Sequence, residues 1–270
     1  MNRFFLDPRL MNSPELNFPP DVSHQITRVL RLVPGDEVLA LDGEGMEYRV
    51  RLLDVTPQAC RGEILEKQPA RGEPAQALHL YLSLTQREKF EWMLQKCTEL
   101  GASAFIPVIS RRSLVQDVRE VEKKRTRWEQ ILKEAAEQSG RGRVPQLGSG
   151  RSLAQALEET RRRGDLALFA WEGSGGMSMR LALADVPARP ALTVSLFIGP
   201  EGGYEPQETT LAKETGARLV TLGRRILRME TAAVAATALA MYELGEMEAP
   251  SEQTAGEKVA EPFLDDLPAP

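Results

Sequence analysis

Three glycine-containing segments have the residue types and the spacing of ligand-binding loops, since each lies at the end of an apolar run. They are residues 169–176 (FAWEGSGG), 199–203 (GPEGG) and 222–231 (LGRRILRMET). Glycine has no Cβ, so a ligand can approach the backbone and hydrogen-bond to its N–H and C=O groups. Pro200 stiffens the second segment and lowers the entropy lost when a ligand orders it. A tight turn alone would explain one such segment, but three of them favour a binding pocket.

The residue types in these segments restrict the class of ligand. The chain contains neither the phosphate-loop pattern GxxxxGK[ST] nor the dinucleotide pattern GxGxxG. The loop at 199–203 carries Glu201 and no lysine, which disfavours a polyphosphate. The segments therefore predict a pocket for a nucleoside-like ligand without phosphates, held by backbone amides and apolar side chains. The predicted apolar walls are Ile198, Leu222, Ile226 and Leu227.

Alternating strands and helices are predicted around these loops. Apolar runs predict strands at residues 77–85, 104–110, 165–172, 191–199 and 217–223. Helical periodicity and end signals predict helices at residues 87–101, 118–139, 151–160, 205–216 and 229–245. This order indicates an α/β fold with a mostly parallel sheet, in which ligands bind beyond the carboxyl ends of the strands. His79, in the first of these strands, is expected to be a core or sheet residue.

The first part of the chain has a different pattern. Residues 24–66 contain short runs rich in Val and Leu, separated by Pro-Gly and Asp-Gly turns, which predict a small β-rich domain of barrel type. Residues 66–76 hold two prolines and no apolar period, and are interpreted as a linker. We therefore predict one domain at 1–72, a second at 73–246 and an acidic, disordered tail at 247–270.

The formal net charge of −5 is unevenly distributed. Residues 248–270 contain six acids and one base and account for all of it, so residues 1–247 are neutral. Within this body the arginines and lysines are clustered, which produces local positive faces that suit nucleic acid. The alternative interpretation of each cluster is an ordinary solvated helix face.

The cysteines and the apolar runs restrict the compartment. Cys60 and Cys97 are far apart and form no CxxC pair, which favours reduced thiols in a cytoplasmic protein without a metal site. No apolar run reaches the roughly 20 residues of a membrane helix. The first 20 residues also lack the apolar region of a secretory signal. We therefore expect a cytoplasmic protein with no membrane partner.

Five motifs, in this order, resemble the ribosomal RNA small subunit methyltransferase E family. They are HQITRVLRL at 24–32, EKFEWMLQKCTELG at 88–101, EQSGRGRVP at 137–145, FIGPEGG at 197–203 and LGRRILRMETA at 222–232. The resemblance spans residues 1 to about 245 and leaves out the acidic tail. Members of this family are SPOUT-class enzymes that use S-adenosylmethionine to methylate N3 of one uridine in 16S ribosomal RNA.

The resemblance implies a fold, a cofactor and partners. The fold would be a PUA-like β-barrel that helps to bind RNA, followed by a SPOUT-type parallel sheet with helices on both faces and a C-terminal trefoil knot. Knots are very rare, and no sequence pattern here predicts one independently. The implied partners are 16S ribosomal RNA or the small ribosomal subunit, and a second copy of the chain in a homodimer. The implied cofactor-binding residues are Phe169, Ala170, Trp171, Ile198, Gly199, Pro200, Gly202, Gly203, Thr221, Leu222, Gly223, Ile226 and Leu227.

Candidate residues for chemistry and RNA binding come from these motifs and, for Arg111 and Arg112, from a basic cluster outside them. Methylation at N3 requires removal of its proton and stabilisation of charge on O2 and O4. Arg228 is the first candidate for the oxygen charge, and Glu230 either accepts the proton, orients Arg228 or only favours the helix dipole. Glu201 is expected to brace its loop. The candidate RNA-binding residues are His24, Arg28, Arg31, Arg111, Arg112, Arg141 and Arg143.

Two other functions remain open from the sequence. A SPOUT enzyme could act on a ribose 2′-hydroxyl or on transfer RNA, and a protein of this fold could be a non-catalytic RNA-binding assembly factor. The β-rich first domain and the motif at 24–32 favour the ribosomal RNA substrate. The intact loops at 199–203 and 222–231 favour an enzyme, because a non-enzyme needs no cofactor cleft.

Overall fold

The computed structural model describes residues 1–186 and 192–248. The first domain contains a five-stranded sheet in the order β1-β3-β4-β5-β2, with β1 and β3 parallel and the other pairs antiparallel. Alternate side chains of these strands point inward and form the core of this domain, which includes Phe4, Phe18 and Val50. The strands are β1 (Arg3–Phe5), β2 (Glu15–Phe18), β3 (Glu37–Leu41), β4 (Met46–Val55) and β5 (Cys60–Pro69).

A helical segment corrects the prediction of strands from residue 24 onward. Helix α1 (Pro20–His24) continues directly into a π-helical turn, Gln25–Val29. Pro20 is favourable at the first position of a helix. Val22 and Ile26 are buried and four residues apart, which is helical spacing on one face. The prediction was wrong for residues 24–29, because we interpreted Ile26 and Val29 as part of a strand pattern.

The second sheet is parallel throughout, as predicted. Its order is β11-β13-β10-β12-β6-β7-β8, and β9 also pairs with β7. His79 is half-buried in β6, and burial lowers the pKa of its imidazole. The strands are β6 (Leu78–Ser83), β7 (Ala104–Ile109), β8 (Gln146–Leu147), β9 (Arg151–Ser152), β10 (Leu166–Ala170), β11 (Met177–Ser178), β12 (Val194–Ile198) and β13 (Arg218–Thr221).

Helices cover both faces of this sheet. Leu80 and Leu196 pack in the cluster that contains α2, α3 and α7 residues, whereas the neighbouring Tyr81 and Phe197 pack against α4 and α6. Strand alternation thus supplies two separate cores. The sequence analysis missed α5, which is short and is capped at its N-terminus by Ser178. The helices are α2 (Arg87–Glu99), α3 (Arg119–Ser139), α4 (Leu153–Arg163), α5 (Met179–Leu183), α6 (Pro206–Glu214) and α7 (Met229–Glu243).

The connection between the two sheets runs from the end of β5 at Pro69 to the start of β6 at Leu78. The predicted linker therefore begins later than expected, because β5 includes its first residues. The boundary at residues 72 and 73 lies within this connection and stays a prediction, as does the trefoil knot. Beyond residue 248 the predicted acidic tail lies outside the described residues. No helix in the described ranges is long and apolar enough to span a bilayer.

Candidate active site

The three loops of the sequence analysis meet at one edge of the second sheet. Strands β13, β10 and β12 are neighbours and parallel, so their carboxyl ends point the same way. The loops that follow them enclose a cleft of about 650 Å³, counted out to its open mouth. The predicted cofactor-binding residues that line this cleft are Ala170, Trp171, Ile198, Gly199, Pro200, Gly203, Thr221, Leu222, Gly223, Ile226 and Leu227.

Two predicted cofactor-binding residues do not line the cleft. Phe169 is fully buried, and its ring stacks on Tyr204 with centroids 4.1 Å apart. It points away from the cleft because side chains alternate along β10, and the half-buried Ala170 faces the cleft instead. Gly202 lies behind the cleft, where the side chain of Arg112 packs against it. Both residues support the loops rather than form the cleft surface.

Five further residues complete the lining of the cleft. Glu172, Glu201 and Arg225 are charged, and they belong to the same loop motifs that predicted the pocket. Met229 and Ala232 come from the first turn of α7, three residues apart on one helix face. This spacing is the sequence signal that could have identified Met229 and Ala232 as lining residues.

Glu201 connects the second loop to the residues that follow strand β6. The hydroxyl of Thr85 donates a hydrogen bond to Oε1 of Glu201, and Nζ of Lys89 lies 3.2 Å from the same oxygen. Burial raises the pKa of Glu201, but the Thr85 hydroxyl, its own backbone N–H and Lys89 together lower it below the ordinary value. These contacts agree with the bracing role that the sequence suggested.

Arg111 and Arg112 follow strand β7 and contact the second loop and the start of α6. Nη1 of Arg112 donates to the carbonyl oxygen of Gly202 at 2.9 Å. Its Nε lies 3.5 Å from a carboxylate oxygen of Glu205, and Nε of Arg111 lies 3.7 Å from the other oxygen. The backbone N–H of Arg111 donates to Glu208 at 2.9 Å. Both arginines remain exposed, so they are accessible to RNA while they hold the loop.

Gly203 is the position in this loop that requires glycine. Its φ of 68° lies in the left-handed region, and its N–H closes a turn on the carbonyl of Pro200 at 2.9 Å. A Cβ at this position would also collide with the carboxylate of Glu172. The loop conformation and the position of Glu172 therefore both depend on the absence of a side chain here.

The two catalytic candidates lie at the start of α7, beside the cleft. Arg228 is the N-terminal capping residue of α7 and is exposed. Glu230 is half-buried, and within the described residues its Oε2 is buried without a hydrogen-bond partner. Neither residue lines the cleft, whereas Arg225 does. The structure thus adds a second arginine to the candidates for charge stabilisation.

The RNA-binding candidates of the first domain share one exposed segment. His24, Arg28 and Arg31 are all exposed on the helical segment and its end. Arg31 has a φ of 56°, which is uncommon for a residue with a side chain and ends the helical segment abruptly. Val29 is 66% exposed beside them, so the segment presents both charge and apolar surface.

Arg141 is a correction to the predicted RNA-binding set. It is 1% exposed, and its Nη2 lies 2.8 Å from the carboxylate of Glu73 in the linker. Its Nη1 donates to the carbonyl oxygens of Thr98 and Ala102. With its guanidinium enclosed in this way, Arg141 cannot reach a phosphate at the surface. Arg143 is exposed, and its Nη2 donates to the carbonyl of Glu44 at 2.7 Å.

Comparison with known proteins identifies both domains. Residues 72–241 match the family model described as an RNA methyltransferase domain, and residues 18–65 match an RNA methyltransferase PUA domain. Ribosomal RNA small subunit methyltransferase E of Bacillus subtilis is 32% identical over 249 residues, or 90% of this chain and 97% of the relative. The protein of the same name from Synechocystis is 35% identical over 80% of this chain and 69% of the relative.

Solved structures agree with these matches. The chain is similar to a crystal structure of Ribosomal RNA small subunit methyltransferase E from Neisseria gonorrhoeae bound to S-adenosyl methionine, with a TM-score of 0.79, 31% identity and coverage of 90% of this chain and 97% of that one. A methyltransferase from Legionella pneumophila, in complex with the same cofactor, has a TM-score of 0.76, 26% identity and coverage of 89% and 96%. The predicted SPOUT-type fold with a PUA-like first domain is thereby confirmed. The chain belongs to the ribosomal RNA small subunit methyltransferase E family.

Proposed function

We propose that this protein transfers the methyl group of S-adenosylmethionine to N3 of one uridine in 16S ribosomal RNA. The observation that carries the proposal is the glycine-lined cleft at the shared carboxyl edge of β13, β10 and β12. Use of this cofactor is supported by the similar structures from N. gonorrhoeae and L. pneumophila, both of which contain it. Ribosomal RNA of the small subunit is supported by the names of the relatives.

The residues of the cleft fit S-adenosylmethionine. Ile198, Leu222 and Leu227 supply an apolar wall, and the glycine-rich loops expose backbone groups that can bind an adenosine. The charged lining consists of two carboxylates and one guanidinium, a balance that favours a cationic ligand. The cofactor supplies a methyl group on a positively charged sulfur, which needs little further activation.

The protein must therefore act on the uridine. In the transfer, the bond from sulfur to methyl breaks, a bond from N3 to methyl forms, and the N3 proton leaves to a base. We propose that Arg228 or Arg225 stabilises the charge that develops on O2 and O4, since a guanidinium suits such oxygens. Glu230 is our candidate for the proton acceptor, because it lies in the first turn of α7 beside the cleft and its Oε2 has no hydrogen-bond partner within the described residues; its side chain would have to turn toward the cleft to reach N3. The target base must also be unpaired or flipped outward to reach the cleft.

We propose that RNA phosphates contact the first domain through His24, Arg28 and Arg31. Arg111, Arg112 and Arg143 would extend this surface on the second domain. Each lost phosphate contact should reduce the salt slope of RNA binding by about one. The double variant of Arg28→Ala and Arg31→Ala should therefore show a shallower slope at unchanged cofactor affinity, and an unchanged slope would refute this assignment.

We also propose a homodimer that is formed through α5 and α7. Leu181 on α5 is 62% exposed, and Leu239 and Tyr242 on α7 are 41% and 60% exposed. Large apolar side chains exposed together on adjacent helices are typical of an interface. Light scattering coupled to size exclusion should give twice the mass of the chain, and a monomer at micromolar concentration would contradict this proposal.

The deciding experiment is incubation of the purified protein with radiolabelled S-adenosylmethionine and unmodified small ribosomal subunits, followed by nucleoside analysis by mass spectrometry. We expect 3-methyluridine as the new nucleoside. A ribose-methylated nucleoside, a different base or labelled transfer RNA would retain the cofactor and overturn the substrate. Binding of the cofactor without transfer to any RNA would instead favour a non-catalytic assembly factor.

A further inference from the structure

The charged residues of the cleft differ in how they are used. Glu201 is engaged by Thr85 and Lys89, so its carboxylate braces the loop. Glu172 lines the cleft and is exposed, and within the described residues its carboxylate has neither a hydrogen bond nor an ion pair. Glu172 is therefore the acidic group of the lining that remains available to a bound ligand.

The carboxylate of Glu172 lies between two of the three loops. It follows β10 in the first loop, and its Oε1 occupies the space that a Cβ of Gly203 in the second loop would fill. The carboxylate therefore lies over the backbone of the second loop at the edge of the cleft. This placement depends on the left-handed conformation of Gly203, which the loop retains through its turn to Pro200.

The proposed reaction has a substrate and a product that differ mainly in charge. S-adenosylmethionine and S-adenosylhomocysteine share the adenosine, the ammonium and the carboxylate. They differ by one methyl group and by the positive charge on sulfur. Apolar walls, backbone amides and Arg225 meet groups that both molecules possess, and so they bind both. A carboxylate beside the sulfur would distinguish them, because it attracts the positive charge that only one of them carries.

We propose that Glu172 is a specificity-determining residue that favours the sulfonium of S-adenosylmethionine over the neutral sulfur of S-adenosylhomocysteine. The inference rests on the proposed function, because it assumes that this cleft binds the cofactor. Its consequence is faster exchange of product for fresh cofactor, since the attraction to Glu172 disappears when the methyl group leaves. Exposed charge pairs contribute modestly, so we expect a preference of about two- to fivefold from this residue.

The test compares the affinities of the two ligands for the full-length protein by isothermal titration calorimetry. In Glu172→Gln, the affinity for S-adenosylmethionine should fall about two- to fivefold while that for S-adenosylhomocysteine stays unchanged. The difference in S-adenosylmethionine affinity between wild type and variant should be smaller in 0.5 M salt. The Debye length there is about 4 Å, so interactions between exposed charges are largely screened. Glu214→Gln, an exposed change of the same charge on α6, should leave the ratio unchanged.

Two results would overturn the inference. Wild-type affinities of Glu172→Gln for both ligands would mean that Glu172 does not sense the charge on sulfur. An equal loss for both ligands would mean that Glu172 acts through the loop at Gly203 or on a group that both ligands share. If the wild-type protein bound neither ligand, the proposed function itself would fail and the inference with it, whereas intact cofactor binding with an unchanged ratio would refute the inference alone.

Discussion

Replacing Arg141 with alanine tests whether this arginine is structural or binds RNA. Its side chain is 2% exposed, and that of its partner Glu73 is 14% exposed. The guanidinium also bonds to the carbonyl oxygens of Thr98 and Ala102, so one side chain connects the linker, the end of α2 and the start of β7. Alanine would remove the charged partner of a nearly buried carboxylate, which would keep only the backbone N–H of Arg143 at 3.2 Å, and would also remove the side-chain donor to two carbonyls.

The expected loss of stability follows from these contacts. Removing one partner of a buried ion pair costs about 3–5 kcal/mol, because the remaining charge is buried without compensation. Glu73 retains some contact with water and the hydrogen bond from the backbone N–H of Arg143, so we expect about 3 kcal/mol, the lower end of that range. Since whole domains are stable by only about 5–15 kcal/mol, this loss is large but leaves the variant folded at low temperature.

Urea unfolding followed by circular dichroism measures this loss directly. The midpoint of Arg141→Ala should fall by about 1 M or more, given typical slopes of about 1–3 kcal/mol per molar urea. Arg143→Ala, an exposed neighbour, is the matched control and should unfold within about 0.5 kcal/mol of the wild type. The reasoning is refuted if Arg141→Ala keeps wild-type stability while the salt slope of RNA binding decreases by about one.

Three further outcomes are expected. Gly203→Ala should weaken cofactor binding about tenfold in calorimetry. The reason is that the left-handed φ costs an L-residue about 1–2 kcal/mol and that the new Cβ displaces Glu172. Unchanged affinity would contradict the assigned loop geometry. The pKa of Glu201 is lowered on folding, so its ionised form stabilises the loop at every pH above the ordinary glutamate pKa. That stabilisation is lost only as the pH falls through the lowered pKa. Cofactor affinity measured at pH 5 should therefore equal that at neutral pH. Cys60 and Cys97 are buried, and burial raises the pKa of Cys97 to about 12, so a thiol reagent should label neither in the native protein and both after denaturation.

The parallel sheet and the three loops were predictable because their signals are local. A short apolar run, a glycine-rich segment and an amphipathic helix follow one another within about thirty residues in such units. The loops at 199–203 and 222–231 therefore predicted most of the cleft lining before any contact was known. The same kind of local pattern gave a wrong prediction at residues 24–29, because a few apolar residues such as Ile26 and Val29 also fit a short strand.

The contacts that hold the loops were not predictable, because they join distant parts of the chain. Thr85 and Glu201 are 116 positions apart, and Arg112 reaches Gly202 across 90 positions. They meet because β6 and β7 belong to the same parallel sheet as β12, so all of their carboxyl ends lie at one edge. Strand order determines which side chains meet there, and strand order cannot be inferred from the local patterns of a single sequence.

Arginine placement shows the same separation between residue type and role. Arg111, Arg112, Arg141 and Arg143 looked equivalent in the sequence, as two short basic clusters on a neutral body. In the fold, Arg112 donates to the cofactor loop, Arg141 is enclosed with Glu73, and Arg143 is exposed near the first domain. A basic cluster therefore predicts that guanidinium chemistry is used, whereas exposure and the nearest carboxylate or carbonyl decide whether it serves the fold, the cleft or an RNA phosphate. The distinction matters most at Arg112, because the same guanidinium holds the carbonyl of Gly202 and remains exposed to solvent.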